Sequence, residues 1–238
     1  MDRITGKVVA WWSYCRQPIC EVCKHRRSNL MTAMLFNQMG GRSCWHLTLT
    51  MQHGDGRLRP QVRRLFDAFT ELRALAAWRH QIVGGARFLD VTHNSHRQTW
   101  GPHLHIVAEA KRINLMPIKS KWSKITGDSD QTVCRPIPEH RKDQLVLAKY
   151  VTKPPFESFA EDENLLMEYQ RAMKNLKPAR GFGEWHRLKL TPRGRYRGST
   201  VEHVTTDGDH ESAAFDAMVR SEAAAIMANC DNPIPIWP

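Results

Sequence analysis

At 238 residues, 41% of them hydrophobic and 25% charged, the chain is expected to bury the core of one globular catalytic domain with appendages. No apolar run approaches the roughly 20 residues of a membrane span, and MDRITGKVVAWWSYC lacks a secretory core, so a cytoplasmic, bacterial-type protein is expected. The net charge of +11 is uneven: Val201–Pro238 holds seven acidic residues and one basic, leaving 34 basic and 17 acidic residues before it. A region that basic points to a polyanionic partner, because each phosphate it neutralises releases condensed counterions. Charge alone names no reaction.

The first elements in chain order are a cysteine cluster and a helix. Cys15, Cys20 and Cys23, with Cys44 further on, have the short spacing of a structural zinc knuckle, and Pro18 favours the tight turn it needs. Reduced, partly buried thiols are the alternative. Residues 24–39 read as a helix with Leu30, Met31, Met34 and Leu35 at helical spacing, stopped by Gly40–Gly41.

A strand follows at 45–51, with Trp45, Leu47, Leu49 and Met51 on one face and His46, Thr48 and Thr50 on the other. Pro60 opens an amphipathic helix whose apolar stripe is Val62, Leu65, Phe66, Phe69, Leu72 and Leu75. Gly84–Gly85 reads as a break before a second strand, 87–92, and a third strand covers 103–108. Further on come a short basic helix at 119–125, an edge strand at 132–138, helices at 141–153 and 161–176, and an alanine-rich helix at 211–229. The mixture predicts an α+β domain: a central antiparallel sheet with flanking helices, an N-terminal cysteine-rich knuckle and a C-terminal helical tail.

The third strand carries the chemistry. Alternation puts His103 and His105 on one face, about 7 Å apart at Cα, where two imidazoles can converge on one divalent ion. On the second strand Asp90 stands in the apolar run FLDVT, where a carboxylate needs a partner. If the two strands pair in the right register, Asp90 completes a His–His–carboxylate set with positions open for water and a phosphate oxygen. His93 and His96 are rival ligands. On a helix, Tyr150 and Lys153 lie three residues apart and share a face. A phenol ionises near pH 10 in its ordinary state, so a nucleophilic tyrosine needs a neighbouring cation to help it.

In this order, CWHLTLT, FLDVTHN followed by GPHLHIV, and LAKYVTK resemble the three motifs of rolling-circle replication initiators of the HUH endonuclease superfamily. The similarity is greatest to the plasmid type with one catalytic tyrosine, and CRQPICEVCKHRRS resembles the cysteine-containing segment that precedes their first motif. The resemblance implies an RRM-like endonuclease fold over 45–200, preceded by a cysteine-rich segment and helix at 1–44 and followed by an acidic tail at 201–238. It implies that His103 and His105 hold Mg²⁺ or Mn²⁺ with Asp90, which stands where the family often has a glutamate. It also implies that Tyr150 is the nucleophile, assisted by Lys153. The partner would be single-stranded or hairpin origin DNA, with a host helicase and polymerase acting downstream.

DNA contacts are expected from Arg26, Arg27, Arg87, Lys124, Arg187, Arg193, Arg195 and Arg197, with Glu139 or Glu157 activating a terminating water. A single-strand transposase or relaxase of the same superfamily, a non-catalytic zinc-stabilised nucleic-acid-binding protein and a water-using metal nuclease are the rival readings. No GxxxxGK[ST] segment occurs, so no fused helicase is expected.

Overall fold

In the computed structural model, residues 19–52, 54, 56–127, 129, 131–188 and 190 are described, without the side chains of Glu21, Val22, Arg26 and Glu157. Cys15, Arg193, Arg195, Arg197, the acidic tail and its expected helix at 211–229 lie outside them. The elements are α1 (Glu21–Met39), β1 (Cys44–Thr50), α2 (Leu58–Ala74), α3 (Ala76–Arg79), β2 (Gly84–Asn94), β3 (Thr99–Glu109), α4 (Leu115–Thr126), β4 (Thr132–Pro136), α5 (Arg141–Val151), α6 (Glu163–Met173) and β5 (Ala179–Gly183).

The sheet is antiparallel throughout, in the order β4-β1-β3-β2-β5, which is the expected α+β architecture. Because side chains alternate along each strand, register decides what each face holds. One face carries Leu47, Leu49, Leu89, Val91, Leu104 and Ile106, which bury against Val62, Leu65, Phe69 and Leu72 of α2 and Ile118 and Trp122 of α4. The other face carries His46, Thr48, Phe88, Asp90, His103 and His105, and the ring of Tyr150 from α5 stands over it. The N-terminal helix α1 packs on α5. No helix among the described residues is long and apolar enough to cross a membrane.

Two strands depart from the sequence reading for the same reason. Gly84–Gly85 is not a break but the start of β2, paired on one side with Glu109 and Ala108 and on the other with Gly183 and Phe182. A Cβ at Gly85 would meet the Val107 carbonyl, and would stand 2.8 Å from Phe182 Cζ and 3.0 Å from Ala108 Cα. Glycine is there because two backbones approach too closely for a side chain, not because the chain turns. The partner strand β5, sequence ARGFG, escapes a pattern search because glycine fills two of its five positions.

α5 ends at Val151, so Lys153 lies beyond the helix rather than on its face. Its place is set instead by a proline link. β5 pairs with β2 only as far as Phe88, after which Leu89 N donates to the Pro178 carbonyl (2.8 Å) and Val91 N to the Pro155 carbonyl (3.1 Å). Proline offers an acceptor without a donor, so these residues satisfy the exposed edge of β2 and leave no unpaired N–H of their own. Asp90 lies between the two anchored positions, and the link that accepts from Val91 begins at Lys153.

The residue between Tyr150 and the link, Thr152, is 1% exposed. Its hydroxyl donates to the Ala148 carbonyl at 2.8 Å, so the 2.7 Å contact with Thr32 of α1 has Thr32 as its donor, because a hydroxyl has one proton to give. Ser28 of α1 adds a bond to the Thr152 carbonyl at 2.9 Å. α1 therefore clamps the backbone between Tyr150 and Lys153.

The clamp predicts an asymmetry in urea denaturation. Thr152→Val strands the buried Thr32 donor and should cost about 1–3 kcal/mol, whereas Thr32→Val leaves the Thr152–Ala148 bond intact and should cost about 1 kcal/mol. In the Thr32→Val background the Thr152 substitution should cost less than alone; equal costs in both backgrounds would show that the two hydroxyls are not coupled. Gly85→Ala should destabilise by about 1–3 kcal/mol through forced separation of β2 from its neighbours, and a stability unchanged from wild type would contradict the close approach.

Candidate metal and nucleophile site

The β2–β3 register sets Asp90 directly opposite His103, and the same face carries His105 two residues on. Asp90 Oδ2 lies 3.4 Å from His103 Nε2 and 3.7 Å from His105 Nε2. Lys153 Nζ approaches the same oxygen at 3.2 Å. The other carboxylate oxygen is held by the Val91 backbone N–H at 3.0 Å, which fixes the side chain's rotation. Burial alone would raise the Asp90 carboxyl's pKa, but the imidazoles of His103 and His105 and the Lys153 ammonium beside it hold it well below the ordinary carboxylate range.

The far sides of both imidazoles are engaged. His103 Nδ1 faces the Gly101 carbonyl at 3.2 Å, an acceptor that takes a proton from Nδ1, so Nε2 is the nitrogen turned toward Asp90. His105 Nδ1 faces His46 Nε2 at 3.2 Å and Thr48 Oγ1 at 3.3 Å. Burial, then the charges of His105 and Arg135, pushes the His46 imidazole down to about 3, so it stays neutral beside its neighbour. Burial also lowers the pKa of His105, against the opposing pull of Asp90.

His105 Nε2 is buried with no hydrogen-bond partner. A buried nitrogen lone pair without a donor costs free energy, and a divalent cation supplies what is missing. Asp90, His103 and His105 are the one grouping of metal-capable side chains among the described residues, with one donor atom from each lying within 4.8 Å of the others. Two imidazoles held by second partners and one ionised carboxylate fit a hard or borderline divalent ion.

Tyr150 stands beside this group. Its ring centroid is 5.0 Å from that of His105 and 6.2 Å from that of His46, and Lys153 Nζ lies 5.5 Å from the ring. Tyr150 is 41% exposed, whereas Tyr169 is 2% exposed and burial pushes its phenol up. Of the two described tyrosines, the accessible one is thus the one that faces the metal-capable group.

Other sequence candidates stand elsewhere. His93 packs edge-on against Trp100, ring centroids 4.7 Å apart, and His96 sits in the β2–β3 turn; neither joins the group. Arg87 points to the opposite face, where its guanidinium lies 3.6 Å from the centre of the Phe66 ring. Lys124 ends α4 on that face, and Arg187 is exposed after β5. Arg27 lies on α1 near the link, and Arg26 is on the same helix. Cys20 and Cys23 stand at the start of α1, and Cys44 is in β1 opposite Glu109. These described cysteines form no grouping of three metal-capable side chains, and burial pushes the Cys44 thiol up to about 12.

Sequence reasoning missed His46, Thr48, Thr32, Ser28 and Pro155. For His46 and Thr48 the signal was present, since the alternation of 45–51 already sets them on the polar face. The α1–Thr152 clamp joins residues 120 positions apart, and no local pattern carries it.

A family model described as "Replication protein" matches residues 6–183. Among curated proteins, the chain is 29% identical over 119 residues to the Protein rep of Bacillus amyloliquefaciens, a stretch covering 47% of this chain and 35% of the relative. It is 28% identical over 125 residues to the Protein rep of Streptococcus pneumoniae serotype 2, covering 49% of this chain and 36% of the relative. A Protein rep from a Bacillus species is similar at 28% over 119 residues, 39% of its length. The matched stretch is therefore little more than a third of each relative. No solved structure matches. With the family match running through all three ordered motifs and every residue of the site, the chain belongs to the replication-protein family.

Proposed function

We propose that this protein nicks single-stranded or extruded origin DNA by transesterification and so starts rolling-circle replication of a plasmid. The observation that carries the reading is the convergence of His103, His105 and Lys153 on one carboxylate oxygen of Asp90, beside the exposed ring of Tyr150.

In this reading Tyr150 Oη attacks the scissile phosphorus, the bond from phosphorus to the 3′ oxygen breaks, and the phenol proton is lost as the 3′ oxygen gains one. The products are a 5′-phosphotyrosine and a free 3′-hydroxyl, which a host polymerase can extend behind a host helicase. The ester keeps the energy of the broken phosphodiester, so a later strand transfer needs no ATP. Mg²⁺ or Mn²⁺ held by Asp90, His103 and His105 would supply Lewis-acid polarisation of the phosphate. Lys153, anchored by its proline link, offers a cation to the charge that develops on the phosphoryl oxygens. The Thr32–Thr152 clamp limits the excursions of Tyr150 and Lys153, which favours in-line attack. Charge on the basic first 200 residues supports the DNA partner, and the family relationship supports the replication role.

The chemistry dictates where a label should go. With single-stranded origin oligonucleotide and Mn²⁺, a 3′ label should migrate with the protein through a denaturing gel, while a 5′ label should leave on a shortened fragment ending in a 3′-hydroxyl. Tyr150→Phe should abolish the adduct and leave DNA binding intact. Lys153→Ala should slow adduct formation about a hundredfold or more, and His103→Ala or excess chelator should stop it. Cleavage with no adduct would indicate attack by water, and binding with no cleavage would leave a non-catalytic DNA-binding protein; either outcome contradicts the proposal.

A further inference from the structure

The helical face of the sheet holds three guanidiniums that no carboxylate answers. Arg87 of β2 stands directly opposite Arg180 of β5. Arg73, in the last turn of α2, reaches the same place, its Cζ 5.2 Å from the ring centres of Phe69 and Phe182. Phe182 is two residues from Arg180 on β5 and so shares its face. Among the described residues no carboxylate pairs with any of the three arginines. Arg87 is 9% exposed, and its Nη1 is buried without a hydrogen-bond partner, as is Arg73 Nε.

Left so, the arrangement is costly. Like charges directly opposite on neighbouring strands repel, and a buried cation without a counter-charge is strongly destabilising. Burial, then the charges of Arg180 and Arg73, pushes the Arg87 guanidinium down to about 10, so it still carries its charge at neutral pH. The Phe66 ring, 3.6 Å from Arg87 Cζ, attracts that charge but offers the N–H donors no lone pair. A tetrahedral oxyanion supplies both the missing charge and the missing acceptors, and it can accept from several guanidiniums at once. Arg180 is exposed, so the group is open to such a ligand at the β5 edge.

We infer that Arg73, Arg87 and Arg180 form a phosphate site at this edge, filled by a stretch of DNA backbone other than the one facing Tyr150. Strand alternation sets Arg87 and Asp90 on opposite faces of the sheet, about 10 Å apart along β2. A strand lying on Asp90 can therefore fill this site only by passing round β5, the edge strand. Membership of the replication-protein family and the basic first 200 residues make DNA the source of the phosphate. Contacts to the backbone carry no sequence information, so the site adds affinity and orientation rather than base preference. The inference goes beyond the nicking reading and stands without it, because holding a phosphate requires no cut.

Two measurements on the full chain test it, and neither reads cleavage. The first is thermal melting in chloride and in inorganic phosphate at equal ionic strength. Phosphate should raise the melting temperature of the wild type and of Lys121→Met, which removes an exposed charge from α4. It should not raise that of Arg87→Met, which keeps an unbranched stem over Phe66, or that of Arg180→Met. The second is fluorescence anisotropy in EDTA over a salt series, with a labelled DNA hairpin that carries a single-stranded arm. Arg180→Met should weaken binding and lower the slope of log affinity against log salt by about 0.7–0.9, the share of one phosphate. No phosphate gain in the wild type, or an equal gain in wild type, Arg87→Met and Arg180→Met, would overturn the site. A gain confined to the wild type and Lys121→Met, with the salt slope unchanged in Arg180→Met, would mean a free phosphate ligand and overturn the assignment to DNA. Should Arg87→Met fail to fold, the exposed Arg180→Met decides both measurements alone.

Discussion

One backbone pairing governs the site: β2 against β3 with Asp90 opposite His103. A slip of one residue would turn Asp90 toward the helices on the apolar face and leave two imidazoles without their carboxylate. The register is secured from both directions. Toward the far end, Gly84–Gly85 allows β2 to lie close against β3 and β5 together. On either side of Asp90, the carbonyls of Pro178 and Pro155 take the edge donors of Leu89 and Val91 that a sixth strand would otherwise satisfy. The buried carboxylate is tolerated because a cation and two imidazoles surround it.

The same proline link that completes the edge of β2 carries Lys153, and the same helix that forms the outer layer fastens Thr152. Fold and chemistry are consequently not separable here. α1 contributes no atom to the metal-capable group, yet it holds the backbone between Tyr150 and Lys153.

How far the site could be read in the sequence follows from the range of each interaction. His103 and His105 were legible because strand alternation is local, and Asp90 because an acid in FLDVT demands a partner. Tyr150 and Lys153 were legible as a pair but for a partly mistaken reason: the lysine reaches Asp90 from beyond the helix end, and the prolines that stop the helix also hold it there. The arginine at 87 shows the opposite case. Charge alone makes it a DNA candidate, but the alternation that puts Asp90 on one face puts Arg87 on the other, against Phe66. β5 was hidden by its glycines, and the Thr32–Thr152 contact by its span along the chain.

The central claim is that Asp90, His103 and His105 together bind one divalent ion. Pulsed electron paramagnetic resonance of the Mn²⁺-loaded protein, with and without ¹⁵N-labelled histidine, tests it most directly. The account predicts couplings from two imidazole nitrogens, falling to one in His103→Ala and to one in His105→Ala. Bound Mn²⁺ with no histidine nitrogen coupling would contradict it.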